Sequence, residues 1–203
     1  ELGIDLTKDG LEGFAKYLRE LKIWNKKMNL TSVDNDRDVI VRHFLDSLTI
    51  AGLFKGGERV LDVGAGAGFP GIPLKIALPS IDLVLVDSVE KKVHFMRHII
   101  RTLGLKAGIE AIPGRVGDAV LIERYGNTFD AVISRAFTVL SGFITAGLPF
   151  LKTGGRIIAM KGPSVDEEIR EASSIKGIAG LRVVKVKVPF EGRVNSIIIC
   201  EKV

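Results

Sequence analysis

Apolar positions in the first fifty residues recur at helical spacing. Leu11, Phe14, Leu18, Leu21, Trp24 and Met28 fall three or four apart and predict an amphipathic helix that begins near Thr7. Its other face carries Lys16, Arg19, Lys22, Lys26 and Lys27, and Trp24-Asn25 with Asn29-Leu30-Thr31-Ser32 supplies cap and turn chemistry at its end. A second helix is expected from about Asp36 to Leu53, with Val39, Ile40, Phe44, Leu48 and Ile50 apolar and His43, Asp46 and Ser47 on the more polar side. No strand separates the two, so residues 1–54 read as a helical extension.

From Arg59 onward short apolar runs alternate with helical stretches. Strands are predicted at Val60–Val63, Ile81–Val86, Ile109–Ile112, Phe129–Ile133 and Arg156–Met160, the last entered through a Gly154-Gly155 turn. Helices are expected behind Pro73, over Glu90–Leu105, after Asp118, over Leu140–Leu151 and over about Val165–Ser174. Two consecutive strands, Leu181–Val188 and Val194–Lys202, close the chain as a hairpin. This order predicts an α/β domain over 55–203, a mostly parallel doubly wound seven-stranded sheet with one antiparallel strand from the hairpin.

The first strand runs directly into four glycines, Gly64, Gly66, Gly68 and Gly71, before the chain resumes as a helix. A strand that turns into a helix through glycines brings bare backbone N–H groups against a ligand. Gly66, Gly68 and Gly71 fit the GxGxxG spacing of dinucleotide sites. In that fingerprint, however, the first glycine follows the strand directly. Gly64 then takes that place, and the third glycine would fall at Phe69. Asp62 puts a carboxylate where a pyrophosphate would be repelled, which suits a cationic ligand such as S-adenosylmethionine. The second predicted strand ends in Asp87, where a carboxylate can accept ribose hydroxyls. S-adenosylmethionine is the favoured cofactor. A nucleotide-binding module or an NAD(P)-dependent oxidoreductase on a similar sheet is the alternative.

Composition narrows the class. A chain of 203 residues with 46% hydrophobic residues can bury one sizeable core, and no apolar run approaches the ~20 residues of a membrane helix. The single cysteine, Cys200, excludes an internal disulfide framework and fits a reducing cytoplasm. A net charge of +5 allows a polyanionic partner.

In open α/β sheets ligands bind beyond the carboxyl ends of the strands. Candidate contacts are therefore the glycine loop, Asp87-Ser88-Val89, Gly114–Asp118, Ser134-Arg135-Ala136 and Lys161-Gly162. Val116 and Gly117 would flank an adenine ring, and Arg135 suits a carboxylate or phosphate. Lys91, Lys92 and Arg97, on the helix after Asp87, and Lys161 are expected to hold phosphates of a polyanionic partner at the same edge. Other chemistries lack their motifs. Phe95 follows His94 where a zinc protease would carry glutamate, and the chain has neither a GxSxG elbow nor a P-loop. The residues assign no catalytic side chain and no metal site.

Together these segments resemble the guanine-N7 methyltransferases of bacterial small-subunit ribosomal RNA, also called glucose-inhibited division protein B. The marks are WN…NLT (Trp24 to Thr31), H..DSL (His43 to Leu48), DVGAGAGFPGIPLKI (Asp62 to Ile76), VDSVEKKVHFM (Val86 to Met96), Gly114-Arg115, SRAF (Ser134 to Phe137) and Lys161-Gly162. The resemblance implies a class I methyltransferase-type Rossmann-like fold, S-adenosylmethionine as cofactor, and 16S ribosomal RNA or the small subunit as partner. It also implies a cytoplasmic protein with no membrane role, taken as a monomer. Carried over by position, Gly64, Phe69, Asp87, Val116, Gly117 and Arg135 would contact the cofactor. Gly117 stands where the family usually has glutamate, with Asp118 next. Guanine N7 has a lone pair and no proton, so the implied reaction needs no strong base and depends on alignment and a preorganised site. Because A-form helices hide N7 in a deep groove, the target is expected to be unpaired or distorted.

Overall fold

The computed structural model describes every residue except Glu1, Lys106, Ala136 and Thr138. Its strands are β1 (Arg59–Val63), β2 (Asp82–Asp87), β3 (Ile109–Pro113), β4 (Phe129–Ser134), β5 (Leu151–Lys161), β6 (Arg182–Lys187) and β7 (Val194–Glu201). They form one sheet in the order β3-β2-β1-β4-β5-β7-β6. Pairings from β3 across to β5 are parallel, and β7 runs antiparallel to both β5 and β6. The chain starts at β1, builds outward to β3, then returns to β4 on the other side. That reversal opens a crevice between the carboxyl ends of β1 and β4.

Helices cover both faces, which is why the inner strands are apolar at almost every position. Leu83 and Leu85 of β2 point to one face, where α1 (Lys8–Met28), α4 (Gly71–Ala77) and α5 (Glu90–Thr102) pack. Val84 and Val86 point to the other, against residues of α6 (Ala119–Tyr125), α7 (Leu140–Gly147) and α8 (Asp166–Ala172).

The Thr7 side chain caps α1 by accepting from the Gly10 N–H at 3.1 Å, and Asn29 ends the helix at φ 49°. The buried face is the expected one with one exchange, since Leu18, Trp24 and Met28 also pack against the core. Leu11 is 57% exposed, and Gly10, Phe14, Tyr17 and Leu21 go inward. Phe14, Tyr17 and Leu21 join the same core as Leu83 and Leu85, so the extension shares the core of the sheet.

The second helix departs further. It is built of α2 (Asp36–Val39), a π-helical segment (Ile40–Leu45) and α3 (Asp46–Leu48), followed by a 3-10 turn (Ala51–Leu53). A π turn takes an extra residue and rotates all that follows relative to a 3.6-residue period. The expected polar side is thus buried as well: His43, Asp46 and Ser47 are inside together with the expected Val39, Phe44, Leu48 and Ile50, and only Ile40 of the apolar set is exposed. At β5 the expected glycine turn is part of the strand. A register shift opposite Phe129–Ala131 admits Gly154 at φ 76° and Gly155, whose Cβ would lie 2.9 Å from the Lys152 carbonyl oxygen.

Candidate active site

The loop between β1 and α4 is fastened from below. The N–H groups of Gly64 and Ala65 donate to the Val86 carbonyl at 2.8 and 3.1 Å, and Gly68 and Phe69 donate back to Ala65. Gly64 and Gly66 adopt φ 67° and 63°, a left-handed conformation that favours glycine. A Cβ on Gly64 would meet nothing within 4 Å, so its backbone faces open space at the sheet's edge.

Asp87, at the end of β2, is buried against this loop. One carboxylate oxygen accepts from Gly66 N–H at 2.8 Å and the other from Val89 N–H at 2.9 Å. Each oxygen keeps a lone-pair direction for a further donor such as a ribose hydroxyl. Ser88 and Val89 are exposed beside it. After β3, next to β2 in the sheet, Gly117, at φ 98°, likewise has open space where a Cβ would stand, and Val116 is half-buried against the core. Bare backbone at two left-handed glycines, an anchored carboxylate and an apolar side chain suit a nucleoside.

Three expected ligand contacts lie behind the loop. Asp62 is fully buried: one oxygen accepts from Gly71 N–H at 2.8 Å, and the other is buried without a partner among the described residues. Burial pushes this carboxyl up to about 7. It therefore holds the start of α4 instead of lining an open face. Gly68, at φ 97°, has the Tyr17 hydroxyl 2.8 Å from where its Cβ would be, so glycine there serves close packing. The Phe69 ring is buried, stacked on His43 with centroids 4.6 Å apart.

Arg135, at the end of β4, lies over the Phe69 ring at 5.0 Å. Its guanidinium donates to the Arg42 carbonyl at 2.9 Å, lies 3.1 Å from His43 Nδ1 and stands 3.4 Å from the Asp46 carboxylate. Ala136, next in the same motif, lies outside the described residues. Nδ1 of His43 lies 3.1 Å both from the donor-only Arg135 guanidinium and from the acceptor-only Arg42 carbonyl, and Nε2 lies 2.8 Å from Thr31 Oγ1. Burial and the nearby Arg135 charge hold His43 down to about 4, so it is neutral. Thr31 is gripped in turn by the Asn25 amide, which donates to its carbonyl and accepts its N–H. The Asp46 carboxylate also accepts from the Asn195 amide of β7 at 2.6 Å. None of Tyr17, Thr31, His43, Asp46 and Asn195 was expected at the site. For Thr31, His43 and Asp46 the signal lay in the WN…NLT and H..DSL segments, which periodicity alone leaves as surface; Tyr17 and Asn195 lie outside both.

The basic residues are distributed unevenly. Lys91 Nζ donates to the Met28 carbonyl at 2.7 Å, which brings the start of α5 against the end of α1, where Lys26 and Lys27 stand. Lys92 approaches Asp87 at 4.0 Å, and Arg97 donates to the Ala111 carbonyl at 2.8 Å. Lys161 is a correction. Its side chain is only 10% exposed and its ammonium lies 2.7 Å from Glu168, so it does not offer a surface charge to phosphates. Among the described residues no group of three or more His, Cys, Asp or Glu could hold a metal ion, and no helix is long and apolar enough to cross a membrane.

Residues 11–196 match the model of the family described as rRNA small subunit methyltransferase G. The ribosomal RNA small subunit methyltransferase G of Caldanaerobacter subterraneus subsp. tengcongensis is 39% identical over 206 residues, covering 100% of this chain and 86% of its own. That of Geotalea uraniireducens is 40% identical over 206 residues, covering 100% and 93%. A solved SAM dependent methyltransferase from Aquifex aeolicus superposes with a TM-score of 0.62 at 21% identity, over 86% of this chain and 97% of that one. The last likeness is one of fold.

Proposed function

This chain belongs to the small-subunit ribosomal RNA methyltransferase G family, and from that premise we propose that it methylates N7 of a guanine in 16S ribosomal RNA with S-adenosylmethionine as donor. The observation that carries the reading is the pairing of open backbone at Gly64 with Asp87, held beside it by Gly66 N–H at 2.8 Å. We assign cofactor contact to Gly64, Gly66, Asp87, Ser88, Val89, Val116, Gly117 and Arg135. The dinucleotide alternative has no support once the family is known.

Held against Gly64, Gly66 and Asp87, S-adenosylmethionine would supply its sulfur-bound methyl group to N7. N7 loses no proton in that exchange, so no residue of the chain has to act as a base. The protein's part is to fix alignment and keep a dry, preorganised setting for charge that moves from sulfur to the base. Asp87 orients by hydrogen bonding, and the loop glycines allow close approach. Arg135 adds a fixed positive charge at the carboxyl end of β4.

The test is methylation of small ribosomal subunits lacking the modification, mapped by chemical cleavage at N7-methylguanosine. One new cleavage site is expected. Calorimetry should show micromolar binding of S-adenosylmethionine and its demethylated product. Tight NADH binding with no response to S-adenosylmethionine would overturn the reading.

A further inference from the structure

The H..DSL segment has no role in the chemistry above, yet it supplies the partners of Arg135. Three groups from the π segment and α3 converge on one guanidinium: the Arg42 carbonyl at 2.9 Å, His43 Nδ1 at 3.1 Å and Asp46 Oδ2 at 3.4 Å. Each is itself fixed. His43 is stacked on Phe69 and bonded to Thr31, and Asp46 is bonded to Asn195. Ser47, one residue on, bonds back to the His43 carbonyl at 2.5 Å and locks the π turn. A single line of hydrogen bonds therefore runs from Asn25 on α1, through Thr31, His43, Arg135 and Asp46, to Asn195 on β7.

Such an arrangement is a poor way to gain stability. Burial lifts the Asp46 carboxyl above its usual range even with Arg135 and Arg193 nearby, and burial lowers Arg135 despite Asp46 and Asp62. Both partners are pushed toward their neutral forms, so desolvation outweighs their attraction. What the cluster does provide is geometry. A long, flexible arginine is held over the Phe69 ring of the glycine loop, in one orientation, at the crevice between β1 and β4.

We propose that Asp46 and His43 are positioning residues for Arg135, setting cofactor affinity from the helical extension without touching the cofactor. The inference depends on the reading that Arg135 contacts S-adenosylmethionine. Asp46 and His43 then act only through that side chain, and their effects disappear when it is changed.

A double-mutant cycle on the full chain, with S-adenosylmethionine titrated by calorimetry, tests this. Asp46→Asn keeps the shape and removes the charge, and is expected to weaken binding about tenfold. Arg135→Lys keeps the charge but loses the planar fork, and is expected to weaken binding at least as much. The double variant should bind no worse than Arg135→Lys alone. A purely structural role predicts losses that multiply, and that result overturns the proposal while leaving Arg135 at the cofactor. Unchanged affinity in Arg135→Lys overturns it together with the cofactor role of Arg135. If Asp46→Asn does not fold, the same cycle is run with His43→Gln, which retains a neutral acceptor. The expectation is again no further loss in the Arg135→Lys background, and multiplied losses again overturn the proposal.

Discussion

The hydroxyl of Tyr17, on the first helix, donates to the carbonyl oxygen of Ala67 in the middle of the glycine loop. The two residues are 50 positions apart, and the bond is fully buried. The Tyr17 ring stacks between Phe44 and Phe69, with centroids at 5.2 and 5.5 Å. Burial raises its phenol well above the ordinary value, so it remains a donor at any working pH. The helical extension thus sets the shape of the glycine loop directly.

Tyr17→Phe keeps the stacking and deletes the donor, leaving the Ala67 carbonyl without this partner. A loss of about 1–3 kcal/mol in unfolding free energy is expected. Cofactor affinity should fall as well, because the loop loses its fastening. Urea midpoints and calorimetry on the same preparations check both. If neither changes, the loop holds its shape without the helix.

Two glycines of the loop should separate stability from binding. A Cβ on Gly71 would stand 2.6 Å from Leu85 Cδ2 and 2.7 Å from the Asp62 carboxylate, so Gly71→Ala is expected to cost about 1–3 kcal/mol through overpacking. Gly64→Ala meets no neighbour, but takes up a left-handed φ of 67° at about 1–2 kcal/mol and intrudes on the space assigned to the cofactor. Gly64→Ala should therefore show the larger loss of S-adenosylmethionine binding at similar stability. Equal binding by the two variants would remove Gly64 from the site.

The sheet was legible because its strands are short apolar runs divided by glycines, and the loop because its glycine spacing excludes a connector. The position of Asp87 beside the loop followed from its place at the end of β2. Other features were hidden for definite reasons. Helical periodicity assumes 3.6 residues per turn, and the π segment at Ile40–Leu45 breaks that assumption, so His43 and Asp46 read as surface. Tyr17 sits outside the apolar series that Leu11 begins, and Leu11 is the residue left exposed. Lys161 read as a free cation because its partner Glu168 comes from a later helix, across a turn that spacing does not reveal.

The buried His43 and Asp62 give opposite pH dependences. His43 falls from 6.5 to about 4 on folding, so between those values only the unfolded chain binds its proton, and its contribution is lost as pH falls. Asp62 rises from 3.8 to about 7, so the folded chain holds the proton, and its contribution is lost as pH rises. Their slopes oppose each other between about pH 4 and 6.5. His43→Gln removes one of them. The stability of the parent relative to this variant should grow with pH across that window, by roughly 3 kcal/mol. Urea unfolding of both proteins from pH 4 to 7 measures it. Parallel curves would mean that His43 takes up a proton in the folded state as readily as in the unfolded chain.

The basic corner where α1 meets α5 is the proposed hold on RNA phosphates. The bond from Lys91 to the Met28 carbonyl joins two groups of lysines that are separate in sequence, with Lys26 and Lys27 exposed on one side and Lys91 on the other. Lys92 is a poor probe, because it stands 4.0 Å from Asp87 and its loss would disturb the cofactor side. Lys27→Ala with Lys91→Ala removes two charges while sparing that carboxylate. Binding to an RNA fragment should weaken, and the slope of log affinity against log salt should become shallower by about 0.7 for each single-strand phosphate no longer held. S-adenosylmethionine affinity should stay at the parent value. A solvated helix face predicts no change in RNA affinity or in its salt slope. That outcome would move the RNA-binding surface away from this corner, whereas a matching loss of cofactor affinity would show that Lys91 supports the loop instead.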